Sequence, residues 1–164
     1  MEFNLKAALE GGVKLLAARM SENLTSRGKV ASGALGESIS VTVRTPRKGR
    51  WIAEILMLDY WEAVDQGRKA GTMPPIQSIK DWLKWRAVKD RLTFGREGAF
   101  DANSTDSIAY AIAKKIERVG TIGSNFATDV FESDLIDQIE DAVNDAVEKD
   151  LDKTIEEIQQ IIDE

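Results

Sequence analysis

The chain has no cysteine and no histidine. Without cysteine there is no disulfide, no zinc–thiolate site and no thiol nucleophile. Without histidine the commonest general base and metal ligand is missing, and with it Ser-His-Asp chemistry. Proline is scarce, at 3 residues, so each marks a deliberate corner. No apolar run approaches the ~20 residues of a membrane span. Lys6, Glu10 and Lys14 interrupt the N-terminal apolar pattern where a signal peptide would need an unbroken core. A cytoplasm-like compartment is therefore expected, with no membrane.

At 164 residues one domain is the default, and a chain of this size buries roughly 70% of its unfolded surface. The net charge of −6 hides an asymmetry. Residues 1–128 hold 20 basic and 14 acidic side chains, whereas residues 129–164 hold 2 basic and 14 acidic. A mildly basic body carries a strongly acidic tail, a pattern that concerns interaction surfaces more than the fold.

Residues 3–25 read as an amphipathic helix, with Leu5, Leu9, Val13, Leu16 and Met20 on one side and Gly11-Gly12 as a kink or a close-packing point. Residues 26–36 read as a Gly/Ser loop. Ser38–Thr45 alternates between Ile39, Val41 and Val43 on one face and Ser40, Thr42 and Arg44 on the other, as a half-buried strand does. Pro46–Gly49 is a turn, and Trp51–Leu58 completes a hairpin. The side of the sheet taken by Glu54 is open.

Leu58–Ile79 is the stretch around which the rest is arranged. It holds Tyr60-Trp61, Gly67-Arg68-Lys69-Ala70-Gly71 and Pro74-Pro75. Tyr60–Val64 is either a bent strand or a helical turn, and Tyr60 and Val64 are expected to fix the corner between sheet and helix from inside. Gly67 and Gly71 permit left-handed backbone around two cations. Pro75 suits the start of a helix over Ile76–Val88, whose stripe of Ile76, Ile79, Leu83 and Val88 is widened by Trp82 and Trp85. Residues 89–103 read as a loop. Thr105–Val119 is a helix capped by Ser104 or Thr105 and stopped by Gly120, with Lys114, Lys115 and Arg118 in its last turns. From Ala127 onward the pattern is one helix, or two with a break near Ser133-Asp134. Its apolar line runs from Val130 to Ile162. The expected fold class is α+β: a small antiparallel sheet, made of the 38–58 hairpin and a neighbouring strand, packed by helices. A 1–128 domain would precede the acidic 129–164 helix, which packs on the same domain or on a neighbouring subunit.

Each chemically suggestive cluster has a plainer explanation. Asp59 and Glu62 could do acid–base work beside Tyr60 and Trp61, yet surface charge accounts for them. Asp137, Asp141, Asp145 and Glu148 share a helical face but lack the turning, glycine-centred loop of a calcium site. Gly67–Gly71 resembles a phosphate cradle without its GxxxxGK[ST] pattern; it reads as a turn presenting Arg68 and Lys69 to a partner. Arg44, Arg47, Lys48 and Arg50 at the hairpin tip could meet nucleic-acid phosphates or an acidic protein. Of Trp82 and Trp85, one is expected inward and one at the edge as an interface anchor. The candidate interface residues are thus Arg44, Arg47, Lys48, Arg50, Tyr60, Trp61, Arg68, Lys69 and Trp85. No catalytic residue, cofactor, metal ion or small-molecule substrate is expected.

Several of these segments together resemble a known family. Ser32-Gly33-Ala34-Leu35-Gly36-Glu37-Ser38-Ile39 is similar to the T/S-G-x-L-x-x-S-I signature of tail-completion and head–tail connector (neck) proteins of tailed double-stranded DNA bacteriophages. Tyr60, Val64, Gly67 and Arg68 match the family's later Y-x-x-x-V-x-x-G-R/T stretch. Ser107–Ala113, Lys115-Ile116, Gly120-Thr121 and Asn125-Phe126 resemble the segment after its Pro-Pro helix. The likeness covers roughly residues 1–130; residues 89–103 and the acidic helix have no counterpart in it. The resemblance implies a non-enzymatic structural virion protein, made in the host cytoplasm. It would form a homo-oligomeric ring that joins portal to tail around the DNA channel. Its partners would be copies of itself and neighbouring portal, neck and tail proteins, with non-specific contact to packaged DNA. The alternatives are a nucleic-acid-binding module using the hairpin tip and tryptophans, and, last, a small enzyme with a deep pocket beside Tyr60.

Overall fold

A computed structural model describes residues 4–28, 33–47, 50–90 and 102–163. The chain runs α1 (Asn4–Ser26), α2 (Ala34–Ser38), β1 (Ser40–Arg47), β2 (Arg50–Leu56), α3 (Trp61–Asp65), β3 (Gly67–Arg68), α4 (Ile76–Asp90), α5 (Ala102–Val119), β4 (Thr121–Ile122), α6 (Thr128–Phe131) and α7 (Leu135–Asp163). This is the α+β class: helices around an antiparallel hairpin, ending in a long helix.

The hairpin follows from its alternation. Val41 faces Ile55 and Val43 faces Ala53 across the β1–β2 ladder, and the α1 side chains Leu9, Val13 and Leu16 lie over that side of β2. The opposite face carries Thr42, Arg44 and Glu54. Glu54 thereby takes the outer face, where Arg44 grips its carboxylate through two hydrogen bonds of 2.8 and 2.7 Å. A register shift between Arg44 and Arg47 bends the ladder before the tip.

α1 packs antiparallel to α7. A Cβ on Gly12 would lie 2.6 Å from Ile139 Cγ2, so Gly12 is a close-packing point and the helix continues through it. At the other end of the pairing Asp150 caps α1, accepting the Asn4 and Leu5 amides at 3.0 and 2.9 Å. The main core joins Met20 and Leu24 of α1 to Leu35, Phe126, Ala127 and Val130, with Ile55, Met57, Trp61 and Val64 against it. A second core sets Ile79 and Leu83 of α4 on the small face of α5, where Ala109 and Ala113 are fully buried. Alanine at both positions lets the two helices approach closely.

Several boundaries differ from the sequence expectation. α2 (residues 34–38) takes the end of the expected 26–36 loop and the start of the expected Ser38–Thr45 strand, and β1 starts at Ser40. Ser38 is held out of the strand because its hydroxyl donates to the Leu35 carbonyl at 2.8 Å and accepts the Leu58 amide at 3.1 Å. The undecided 60–64 segment is helical from Trp61, with Tyr60 at the N-cap of α3. α5 begins at Ala102, so Thr105 lies inside the helix, 8% exposed, and is not its cap. The neighbouring strand does not extend the hairpin: β3 and β4 form a separate two-residue ladder. The 91–101 part of the expected loop, Lys48 and the side chain of Trp85 lie outside the described residues. The break near Ser133 is present, with the Ser133 hydroxyl donating to the Val130 carbonyl at 2.7 Å.

α7 outruns the domain. At 1.5 Å per residue it spans about 43 Å, and α1 begins only beside Asp150. The turns from Leu151 to Asp163 therefore extend about 20 Å past that point. Their apolar line is bare: Leu151, Ile155, Ile158 and Ile162 are all at least half exposed.

Candidate functional site

The Leu58–Ile79 stretch is fastened to residues 120–128 and makes a rigid corner. Its anchor is Asp65, at the end of α3. The Asp65 carboxylate is fully buried and accepts three hydrogen bonds: from the Ala127 amide at 2.7 Å, the Thr128 amide at 3.3 Å and the Thr128 hydroxyl at 2.5 Å. It thus satisfies the free amides at the start of α6 from a point far away in sequence. The backbone joins in, with Ser124 N donating to Val64 O at 2.9 Å and Asn125 N to Asp65 O at 2.8 Å.

The two strands come closer than side chains permit. Gly67 has φ +82°, and a Cβ there would run into the Thr121 carbonyl; one on Gly123 would meet the Asp65 carbonyl. The β3–β4 pairing follows, with Arg68 opposite Thr121 and the Arg68 amide donating to Thr121 Oγ1 at 3.0 Å. Gly71 N then donates to Glu117 O at 2.7 Å, tying the turn to the last turn of α5. Arg27, just past α1, braces the same corner by donating to the Ser124 carbonyl and pairing with Asp129 at 2.6 Å.

This framework brings Arg68 and Lys69 to the C-terminal end of α5, whose outer face carries Lys114, Lys115 and Arg118. All five are exposed. Lys114 is paired with Glu117 at 2.7 Å, which raises its pKa through that hydrogen bond and charge. Arg68, Lys69, Lys115 and Arg118 have no ion-pair partner among the described residues. Two exposed apolar side chains lie on the same elements: Val119 at 60% exposure, one helical turn from Lys115, and Ile122 at 91%, on the face of the β3–β4 ladder opposite Arg68.

The other sequence candidates do not converge on this corner. Arg44 is committed to Glu54 across the sheet, and that pairing raises the Arg44 pKa and lowers that of Glu54. Arg47 and Arg50 are exposed and stand opposite each other in the ladder. Tyr60 was expected to fix the corner from inside, but it is 47% exposed, and partial burial raises its phenol pKa. Val64 does pack against the core, and Asp65 takes the anchoring role given to Tyr60. Trp61 lines an apolar groove of about 430 Å³ with Leu16, Ile55, Met57 and Phe131. Tyr60 and the exposed Asp59 and Glu62 do not line that groove. Trp82 is 38% exposed, beside a buried Leu83. Among the described residues no three acidic side chains lie close enough to hold a metal ion, and no helix is long and apolar enough to cross a membrane.

Sequence reading passed over Asp65 in favour of Asp59 and Glu62. Its partners are about sixty positions away, and no local spacing announces them. Lys115 and Arg118 were visible as favourable charges at a helix end, but their meeting with Arg68 depends on the β3–β4 pairing. Comparison with protein-family models, with curated proteins and with solved structures gives no match for this chain.

Proposed function

We propose that the chain is a structural subunit of a tailed bacteriophage virion: a ring-forming head–tail connector, neck or tail-completion protein that joins portal to tail around the DNA channel. The observation that carries this reading is the corner. The segments that resemble the phage family, 60–68 and 107–126, are the ones that pack on each other through Asp65, Gly67 and Gly123. What they build is a rigid exposed surface with unpaired cations. Rigidity without convergent reactive groups suits geometric work, in which a subunit must hold its neighbours at a fixed angle.

The test is charge reversal at Arg68 and Lys69. Both side chains are exposed and outside the core, so the double variant Arg68→Glu/Lys69→Glu is expected to keep its circular dichroism and melting behaviour while particle yield falls. Normal yield of tailed particles would count against the role.

A second reading has one observation in its favour. Arg47 and Arg50 stand directly opposite each other at the hairpin tip, an arrangement that destabilises a ladder and that a bound phosphate would relieve. As a nucleic-acid contact the tip would bind duplex DNA with a steep salt dependence. Negligible retention on DNA at low salt removes that reading. Arg44, already paired with Glu54, contributes little to it.

A further inference from the structure

The projecting end of α7 and the basic corner are two unsatisfied surfaces of matching chemistry. On α7, Leu151, Ile155, Ile158 and Ile162 recur at helical spacing on one bare face. Asp152, Glu156 and Asp163 follow along one flank of that face by the 100° step of the helix. None of the three has an ion-pair partner among the described residues. The corner carries the opposite charge: Val119 is bare, and Arg68, Lys69, Lys115 and Arg118 are exposed with no ion-pair partner among the described residues.

One chain cannot bring these surfaces together. The corner is braced by Arg27 at the C-terminal end of α1. The free part of α7 starts beside Asp150 at the N-terminal end of α1 and runs on past it. The length of α1, about 34 Å, separates them. Nor does a second α7 make a suitable cover, since its flank would set carboxylate against carboxylate. The groove beside Trp61 has an apolar lining with no cation to meet the flank.

We infer that the projecting end of α7 of one copy docks on the basic corner of the next copy, its isoleucine stripe over Val119 and its carboxylates against Arg68, Lys69, Lys115 and Arg118. The contact joins two different surfaces of the same chain, so it is head-to-tail and propagates into a closed ring or a filament. It rests on the reading of the corner as a subunit-facing surface and names what faces it. An interface of about three helical turns falls below the ~1,200 Å² of stable pairs. The pairwise contact is therefore weak, and assembly depends on concentration and on closure.

The experiment uses two variants of the full chain, each checked for fold by circular dichroism. The corner variant carries Arg68→Glu, Lys69→Glu, Lys115→Glu and Arg118→Glu. The tail variant carries Asp152→Lys, Glu156→Lys and Asp163→Lys. Sedimentation velocity is run at rising concentration. Wild type is expected to self-associate, and each variant alone to associate at least about tenfold more weakly, since opposed rim charges become like charges. An equimolar mixture is expected to recover association, because each reversed surface then meets its complement. Wild-type self-association that neither variant weakens overturns this contact but leaves ring formation standing. So does a mixture that fails to recover. Loss of duplex-DNA binding in the corner variant, with self-association intact, assigns the corner to DNA and overturns it as well. A wild-type chain monomeric at every concentration, both alone and with portal and tail proteins, overturns the ring reading itself.

Discussion

Replacing Asp65 with alanine is the sharpest test of how the corner is built. The carboxylate is fully buried and accepts from Ala127 N, Thr128 N and Thr128 Oγ1. A hydrogen bond to a charged acceptor contributes about 1.5–3 kcal/mol. The bond at 3.3 Å is just beyond the usual range and counts least. Two strong bonds then give a loss of about 3–6 kcal/mol, in line with breaking other buried polar networks. Against a total stability of about 5–15 kcal/mol the variant would be marginal. Asp65→Asn keeps an acceptor toward the two amides, and its amide nitrogen can donate to the Thr128 hydroxyl, so the expected loss is about 1–2 kcal/mol. Urea unfolding at neutral pH reads both, as a lower midpoint at unchanged slope. A loss below about 1 kcal/mol for Asp65→Ala, or equal losses for the two variants, would refute the reasoning.

Further outcomes follow from the same geometry. Gly67→Ala should cost about 2–4 kcal/mol, because it adds left-handed strain to a clash with the Thr121 carbonyl; denaturant melts check this, and a neutral result would mean that the β3–β4 ladder opens freely. Asp150 has its pKa lowered, first by the Leu5 amide hydrogen bond and then by Asn4. A carboxylate depressed in the folded state stabilises above its ordinary value and loses that contribution as pH falls through the folded value. Stability should therefore decline below about pH 4 through this group, and Asp150→Asn should flatten that part of the pH curve. Arg68→Glu/Lys69→Glu should melt like wild type while lowering particle yield. Unfolding of that variant would mean that the two cations hold the corner together.

The legible part of the fold was the part with local causes. The hairpin was written in the alternation of Ile39, Val41 and Val43. The stop of α5 was written in Gly120, whose amide bonds the Ile116 carbonyl at 2.7 Å with φ +72°. The break before α7 was visible at Ser133-Asp134. What escaped the sequence depended on distant partners. Ser38 leaves the strand because Leu58 needs its hydroxyl, and Asp65 matters because Ala127 and Thr128 fold back over it. The candidate site was half legible for the same reason. Gly67-Arg68-Lys69 could be read as a turn offering cations, but Lys115, Arg118, Val119 and Ile122 joined it only through a ladder of two residues per strand. The apolar line of α7 was legible along its whole length, while its exposure beyond Asp150 was not, because that depends on where α1 begins.

The most direct test of the central claim is the assembly state of the intact chain mixed with portal and tail proteins, read by sedimentation and by electron microscopy of the complexes. A subunit built for geometric work should form closed rings coaxial with the portal. A chain that remains monomeric beside those partners would contradict the account.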